Sequence, residues 1–212
     1  MEYQNVSLII IGTELTRGII GDKHGQVIST ELSHLGYSVE RIIIVPDDGS
    51  IRKVLDDCVR DSDVILVTGG LGPTSDDLTR KVIADAAGVK LVRNRDVYDW
   101  LYGRLGERIH GANEIQTMFP EGFDPISNPN GTAAGFKGSI VDGDRQVICV
   151  CMPGPPREMD PMFFGSVLPY LASLRGHADL GRDEYSSFLV AESKLEELCQ
   201  KAAVPGVTWG DR

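Results

Sequence analysis

Residues 63–88 read DVILVTGGLGPTSDDLTRKVIADAAG, and this stretch decides the fold class. DVILV is a short apolar run of the kind found in a strand that is buried on both faces. After a loop with three glycines, apolar residues recur at helical spacing until Gly88 ends the helix: Leu78, Val82, Ile83 and Ala86. The stretch therefore predicts a strand, a tight loop and a helix, which together form one βα unit.

The same alternation precedes this stretch. VSLIII (6–11) and YSVERIIIV (37–45) predict two more buried strands, and a segment with helical spacing follows each of them. We expect Asp22 and Ser50 to cap these two helices. Three βα units in succession favour a largely parallel sheet that is covered by helices.

Beyond these units the pattern changes. FKGSIV (136–141) and QVICVCM (146–152) are joined by the turn DGD (142–144), which predicts a β-hairpin and makes the sheet mixed. In the last long helix, Pro161 and Pro169 predict kinks or breaks. We therefore predict an α/β fold with a mostly parallel mixed sheet.

The domain prediction assigns residues 1–174 to this fold and 175–212 to a linker and a partial or truncated second domain. LRGHADLGRD (174–183) is typical of a linker. EYSSFLV and ESKLEELCQKAA predict one strand and one helix, which is too little to build a hydrophobic core alone.

The composition excludes several classes of protein. The net charge of −10 argues against nucleic-acid binding, because phosphate contacts need a basic surface. No run approaches the roughly 20 apolar residues that span a membrane, and MEYQNVSLIIIG has no basic signal-peptide region. The four cysteines form no CxxC pair, so buried reduced thiols are favoured over a zinc site. We expect a cytoplasmic protein without nucleic-acid or membrane partners.

Polar segments follow the three predicted parallel strands. Gly12 and Glu14 follow the first strand, Asp47 follows the second, and Thr68 leads the third into the glycine loop. Because ligands of open parallel sheets bind outside the carboxyl ends of the strands, we predict the ligand site at this edge.

The loop TGGLG suits an anion, because free amides at a strand-to-helix bend can face a phosphate. It is neither a Walker loop, which needs Lys followed by Ser or Thr, nor a GxGxxG motif. The alternative is that the glycines serve only the geometry of a tight turn.

Asp76 and Asp77, which follow this loop, have two interpretations. Acids in the first turn of a helix gain about 0.3–1 kcal/mol each from the helix dipole, with Thr74 or Ser75 as the cap. However, two charges about 4 Å apart repel by about 4 kcal/mol at an effective dielectric constant of 20, and a divalent cation would relieve that repulsion. Neighbours on a helix point about 100° apart, so spacing does not decide which carboxylate faces the ligand.

Two further loops fit a ligand site at this edge. NPNGTAAG (128–135) combines turn formers, small residues and a hydroxyl, and MPGPPREM (152–159) ends a strand and begins a helix. The alternatives are a plain connector and a rigid strand–helix junction. The candidate ligand-binding residues are Gly12, Thr68, Gly69, Gly70, Leu71, Gly72, Thr74, Ser75, Asn128, Gly131, Thr132, Pro153 and Gly154.

Together these segments resemble one family. GTELTRG, VPDD, TGGLGPTSDDLTR, NPNGTAAGF and MPGPPREMDPMF occur in the order seen in the N-terminal domain of the competence-damage protein CinA family. That domain is related to the molybdopterin-binding proteins MoaB and Mog. The resemblance implies a three-layer αβα sandwich with a pocket for a phosphorylated, nucleotide-like ligand. The family's separate amidase domain has no match in this sequence, so its activity is not expected.

The resemblance also implies roles for single residues. The functionally important aspartates of the molybdopterin-binding relatives match Asp47 and Asp77, and their ligand-binding loop matches Gly69 to Gly72. One departure is that Asp22-Lys23-His24 stands where the family often has Asp-Thr-Asn. His24 is either a contact to an anion or a surface residue of a helix.

The family resemblance and the converging acids lead to one main prediction, a metal-dependent nucleotide pyrophosphatase that cleaves ADP-ribose to AMP and ribose 5-phosphate. Asp77 and Asp47 are its candidate catalytic residues. The candidate ligands of Mg²⁺, or of a transition metal such as Co²⁺ or Mn²⁺, are Asp76, Asp77 and Glu14. One alternative is a protein that binds or adenylylates a pterin in molybdenum-cofactor synthesis, and another is a non-catalytic nucleotide-binding regulator. The resemblance also implies a homo-oligomer.

Overall fold

The computed structural model describes residues 4–175 and 190–202 of the chain. The chain divides into two units, Met1–Leu180 and Gly181–Arg212. In the second unit, helix α8 spans Glu192–Lys201 and confirms the predicted helix. The predicted linker and strand before it lie almost entirely outside the described residues.

The first unit alternates strands and helices along most of its length. Its strands are β1 Asn5–Ile11, β2 Ser38–Val45, β3 Val64–Thr68, β4 Leu91–Arg93, β5 Met118–Pro120, β6 Asp124–Ile126, β7 Gly135–Asp142 and β8 Arg145–Met152. Its α-helices are α1 Thr13–Thr16, α2 His24–His34, α3 Ser50–Asp61, α4 Thr79–Ala87, α5 Arg95–Leu105, α6 Pro156–Met162 and α7 Leu168–Arg175. Two 3-10 segments, Gly106–Ile109 and Gly111–Thr117, follow α5. None of the described helices is long and apolar enough to cross a membrane.

The main sheet has six strands in the order β2-β1-β3-β8-β7-β6. Strands β2, β1, β3 and β8 pair in parallel, whereas β7 is antiparallel to both of its neighbours. The hairpin of β7 and β8 turns between Asp142 and Arg145, as predicted. The mostly parallel mixed sheet is therefore confirmed.

Apolar residues on the two faces of this sheet form separate cores. Ile9 and Ile11 of β1 pack in one cluster with residues of α3, α4 and α5, whereas Leu8 and Ile10 pack in the other with residues of α2, α6 and α7. This alternation follows from the period of two along a strand. Helices cover both faces, which confirms the three-layer αβα sandwich. Cys149 and Cys151 share one buried face, in line with the buried thiols expected from the sequence, and burial raises the pKa of the Cys151 thiol.

The two predicted helix caps have different outcomes. Asp22 confirms its prediction, because its carboxylate accepts the amide hydrogens of His24 and Gly25, both at 2.9 Å. The prediction for Ser50 is wrong, because Ser50 is the first residue of α3 and its amide donates to Asp48 Oδ1 at 2.8 Å. The acidic residue two positions earlier supplies the acceptor instead.

The last long helix is interrupted, as its prolines predict. A π-helical segment, Phe163–Val167, lies between α6 and α7, and it falls between Pro161 and Pro169. Proline has no amide hydrogen and cannot continue the regular hydrogen-bond ladder, so the ladder shifts in this segment. The hydrogen-bond pattern therefore changes along the helix. Residues of α6, of the π-helical segment and of α7 are nevertheless all buried in the same hydrophobic cluster.

Candidate functional site

The loops that follow β1, β2, β3 and β8 meet at one edge of the sheet. The amide of Gly12, just after β1, donates to Val45 O of β2 at 2.9 Å. The amide of Gly69, just after β3, donates to Met152 O of β8 at 3.0 Å. Interstrand pairing thus continues one residue beyond the strands, and it holds the predicted site loops side by side.

Asp47 joins two of these loops. Its Oδ2 accepts hydrogen bonds from Thr13 N at 2.8 Å and from Thr13 Oγ1 at 2.9 Å. In return, the Asp47 amide donates to Thr13 Oγ1 at 3.1 Å. Hydrogen bonds to an ionised group contribute about 1.5–3 kcal/mol each, so Asp47 holds the β1–α1 loop in place. Its Oδ1 accepts from no described residue and remains open at the edge.

Left-handed backbone angles and close neighbouring atoms explain the first two glycines of the TGGLG loop. Gly69 has φ +99° and Gly70 has φ +65°, which are values that other residues rarely adopt. A Cβ on Gly69 would lie 2.3 Å from Ile11 O, and one on Gly70 would lie 2.3 Å from Thr79 Oγ1. Glycine is therefore required at both positions by the path of the chain alone.

Only part of this loop's backbone is free for a ligand. The amide of Gly69 is used by Met152 O, and the amide of Gly72 donates to Asp77 Oδ1 at 2.8 Å. The amides of Gly70 and Leu71 donate to no acceptor in the part of the chain that the structure describes. These two N–H groups are the amides of the loop that have no protein acceptor there.

Asp77 closes the loop on itself. Besides the bond from Gly72, its Oδ2 accepts hydrogen bonds from Thr74 N at 2.8 Å and from Thr74 Oγ1 at 2.6 Å. Helix α4 begins only at Thr79, so the expectation that Asp76 and Asp77 lie in its first turn is wrong. The prediction that Thr74 or Ser75 caps this helix is wrong for the same reason. Asp76 is exposed, and among the described residues its carboxylate accepts a hydrogen bond from the Ser75 hydroxyl alone, at 3.3 Å.

The residues at this edge fit the predicted divalent ion only in part. Within 4–175 and 190–202, no group of three or more His, Cys, Asp or Glu side chains is arranged to hold a metal ion. Asp77 fits poorly because both of its oxygens accept hydrogen bonds. Mg²⁺ is commonly held by one or two carboxylates together with substrate phosphates, a role that Asp47 Oδ1, Asp76 and Glu14 could fill. Metal binding therefore stays a prediction.

Arg80 is a buried cation behind the glycine loop that the sequence reasoning missed. Its Nη1 donates to Leu71 O at 2.8 Å, its Nη2 donates to Ala134 O at 3.4 Å, and its guanidinium lies 5.7 Å from the ring centre of Phe119. Burial lowers the pKa of Arg80 to about 10, so the side chain stays charged at neutral pH. No carboxylate forms an ion pair with it in the described part of the chain. The sequence does carry a signal for this burial. Arg80 lies three and four positions before Ile83 and Ala84, and this helical spacing places it on the same, buried face of α4.

The NPNGTAAG loop is fixed by its own polar groups. The buried Asn128 donates from Nδ2 to Ala133 O at 2.9 Å and to Glu158 Oε2 at 2.8 Å. A Cβ on Gly131 would lie 2.0 Å from Glu158 Oε2, so Asn128 and Gly131 both serve loop geometry. Thr132 is half-buried, and its hydroxyl makes no hydrogen bond with a described residue. Thr132 is therefore the side chain of this loop that is left for a ligand.

The β8–α6 loop lies against the glycine loop. Pro153 is buried, and a Cβ on Gly154 would lie 3.4 Å from the Cα of Gly69, which is an ordinary contact distance. Unlike Gly69, Gly154 therefore has room for a small side chain. It lies where that side chain would narrow the space between the two loops.

A cavity of about 430 Å³ opens beside these loops on the α2 side of the sheet. This volume is within the range of small-molecule sites, about 300–1,000 Å³. Of the predicted site residues, the cavity wall includes Glu14 and Gly154. The other lining residues are Ile10, Ile11, Leu15, Ile20, Gly21, Asp22, Lys23, His24 and Pro156.

His24 is buried in the wall of this cavity, so the prediction of a surface histidine is wrong. Only 7% of the residue is exposed, and its Nδ1 lies 3.1 Å from Thr68 Oγ1. Burial lowers the pKa of His24 because it disfavours the charged ring, and the nearby Asp22 and Asp160 oppose that shift in part. Thr68 thereby connects the cavity wall to the start of the glycine loop.

Comparison with known sequences identifies the family to which this chain is related. The family model described as "Probable molybdopterin binding domain" matches residues 7–173. A CinA-like protein of Akkermansia muciniphila is 35% identical over 93% of this chain, and one of Citrifermentans bemidjiense is 39% identical over 95% of it. In both cases the match covers 48% of the relative. The chain thus spans about half the length of the curated relatives it matches.

Comparison with solved structures finds proteins with the same fold. The protein CinA from Thermoplasma acidophilum, described as having unknown function, superimposes with a TM-score of 0.70 and 28% identity over 77% of this chain and 95% of its own. The tungsten cofactor synthesizing protein MoaB from Pyrococcus furiosus matches at a TM-score of 0.55 and 22% identity, over 83% of this chain and 99% of its own, which shows the shared fold. The chain belongs to the family of probable molybdopterin binding domains, and CinA-like proteins are among its relatives.

Proposed function

We propose that this domain binds a small phosphorylated heterocycle, a pterin phosphate or a nucleotide, at the carboxyl edge of its sheet. One observation carries the proposal: the glycine loop, whose Gly70 and Leu71 amides are unused, lies against Gly154 in the wall of a cavity of about 430 Å³. Gly154 and His24 connect the two, because both line the cavity while Gly154 packs on Gly69 and His24 bonds to Thr68.

The phosphate end of the ligand would lie on the glycine loop. The two free amides are neutral donors, and the buried guanidinium of Arg80 adds a positive charge behind the same loop. A local arrangement of this kind can attract an anion although the whole chain carries a net charge of −10. The loop therefore needs no lysine of its own.

The ring end of the ligand would lie in the cavity. Most of the exposed cavity wall is apolar and comes from residues such as Ile10, Ile11 and Leu15, although four polar or charged residues also line it: Glu14, Asp22, Lys23 and His24. A cavity of this type favours a flat heterocycle over a second charged group. Membership in a family of probable molybdopterin binding domains supports a pterin as that heterocycle.

Calorimetric titration with molybdopterin, AMP and ADP-ribose tests the proposal. We expect saturable one-to-one binding of at least one of them. The variant Gly154→Ala should weaken it at least tenfold, since the added methyl group narrows the junction of loop and cavity. The exposed Gly49→Ala is the matched control, because its Cβ would meet nothing within 4 Å. Absence of binding for all three ligands would overturn the proposal.

The second candidate is hydrolysis of ADP-ribose to AMP and ribose 5-phosphate. It is motivated by the resemblance of the sequence motifs to the CinA family and by the carboxylate of Asp47 at this edge. The amides of Gly70 and Leu71 would orient the diphosphate, and Asp47 Oδ1 is the open carboxylate oxygen that could take a proton from attacking water. A bound divalent ion would supply Lewis-acid polarisation of a phosphoryl oxygen.

Product analysis separates the two candidates. Wild-type protein with Mg²⁺, Mn²⁺ or Co²⁺ should release AMP from ADP-ribose, and Asp47→Asn should abolish release while leaving binding measurable. Binding without release under every metal would reject hydrolysis and favour the regulator. The homo-oligomer stays a prediction, which light scattering tests.

A further inference from the structure

We infer that His24 determines specificity at this site by donating a hydrogen bond from its Nε2–H to an acceptor on the ring of the ligand. The acceptor is a ring carbonyl oxygen or an unprotonated ring nitrogen, as pterins and purines both present. The inference rests on the proposed function, because it places the heterocycle in the cavity next to His24.

The Thr68 hydroxyl decides which nitrogen of His24 carries the proton. Thr68 is fully buried, and His24 Nδ1, at 3.1 Å, is the one hydrogen-bond partner of its Oγ1 among the described residues. If Nδ1 donated to Oγ1, the hydroxyl hydrogen would be buried without an acceptor, which costs about 1–3 kcal/mol. The hydroxyl therefore donates to Nδ1, and in the neutral ring the proton lies on Nε2.

The surroundings keep this ring neutral. Burial lowers the pKa of His24, and it outweighs the opposing effect of Asp22 before α2 and of Asp160 on α6. Glu14 and Lys23 also line the cavity and carry opposite charges. The Asp22 carboxylate is already used by the His24 and Gly25 amides. A neutral donor beside two carboxylates suits a neutral ring acceptor and disfavours a phosphate.

The donor nitrogen of His24 lies in the cavity wall, close to the glycine loop. His24 lines the cavity, and its Nε2 bonds to no residue that the structure describes. Through Thr68 the ring is fixed to the residue immediately before Gly69, where the phosphate is proposed to lie. His24 can therefore recognise the ring of a ligand whose phosphate is held by the adjacent loop.

Ligands with and without a ring test this inference. We expect His24→Leu to weaken AMP or molybdopterin binding at least tenfold and to change ribose 5-phosphate binding less than twofold. His24→Asn should restore part of the affinity, because its amide can donate. His34→Leu, on the same helix and half-exposed, should change neither. If His24→Leu weakened the binding of ribose 5-phosphate as much as that of AMP or molybdopterin, the inference would be overturned. It would also be overturned if the binding of AMP and molybdopterin stayed unchanged. Neither result would affect the proposed function. Failure of wild type to bind any of them would instead reject the proposed function.

A measurement without ligand tests the proton position. Nitrogen NMR of ¹⁵N-histidine-labelled protein at pH 7.5 should show His24 as a neutral ring protonated at Nε2. Thr68→Val, which removes the hydroxyl donor at nearly constant volume, should shift the ring toward the Nδ1–H form, with circular dichroism confirming that the variant folds. A wild-type ring protonated at Nδ1 would overturn the inference.

Discussion

The carboxylate of Asp77 accepts the amide hydrogen of Gly72 at 2.8 Å, and this bond closes the glycine loop five residues upstream. Two further bonds from Thr74 leave both oxygens of Asp77 engaged. Asp77 therefore fixes the shape of the loop on which we propose that the phosphate lies.

Removing this carboxylate should destabilise the protein. Because hydrogen bonds to charged groups contribute about 1.5–3 kcal/mol, we expect Asp77→Ala to lower the free energy of unfolding by about 1–3 kcal/mol in urea titrations. Asp76→Ala is the control, since its carboxylate is exposed and holds no backbone group. An Asp77→Ala variant as stable as wild type would contradict a structural role.

Two glycines that lie against each other should differ in their tolerance of a side chain. Gly69→Ala places a methyl group 2.3 Å from Ile11 O at a left-handed φ, so we expect a loss of more than about 2 kcal/mol of stability. Gly154→Ala meets its nearest atom at 3.4 Å and should change stability by less than about 0.5 kcal/mol. Thermal unfolding of both variants checks the contrast. Equal losses of stability in the two variants would contradict the packing of Gly154 against Gly69 described above.

Arg80 should matter for ligand binding as well as for stability. Replacing a desolvated cation by an apolar side chain of similar length removes two hydrogen bonds but also a buried charge, so Arg80→Met should shift stability by less than about 2 kcal/mol. The same variant should weaken AMP binding about tenfold, since the positive charge behind the loop is lost. The exposed neighbour Lys81→Met is the control for both measurements. Unchanged AMP affinity in Arg80→Met would contradict a role for this charge.

His24 should make stability depend on pH. Its folded-state pKa is below the ordinary value of 6.5, so as pH falls below 6.5 the unfolded chain takes up the proton first. The free energy of unfolding should therefore rise with pH through this range and level off above pH 6.5. Urea unfolding between pH 5 and 7.5 measures this dependence. The free energy of unfolding of His24→Asn should rise less with pH than that of wild type, whereas His34→Asn should show the full rise. An identical pH profile for both variants would contradict the burial of His24.

The sheet and the position of the site follow from local patterns. The runs at 6–11 and 63–67 mark strands buried on both faces, and regular spacing up to Gly88 marks the helix between strands. Parallel order then brings Gly12, Asp47 and the glycine loop to one edge, as the pairing of Gly12 with Val45 confirms. These features depend on residues that are close in sequence and on one rule of topology.

The remaining features depend on contacts that spacing does not reveal. Whether Asp77 begins a helix or folds back on Gly72 depends on the path of the loop, because both conformations suit the same residues. Arg80 and His24 have polar types that are usually exposed, and their burial follows from Leu71, Ala134 and Thr68, which come from distant elements. Tertiary packing therefore determines the burial and the contacts of Asp77, Arg80 and His24, which the sequence alone does not reveal.

The most direct test of a phosphorylated ligand on the glycine loop is an NMR titration of ¹⁵N-labelled wild-type protein with AMP and molybdopterin. We expect saturable shifts that are largest at the amides of Gly70 and Leu71, with smaller changes at Gly69 and Gly72, whose amide hydrogens are already bonded. Saturable binding that leaves the Gly70 and Leu71 amides unmoved would contradict it.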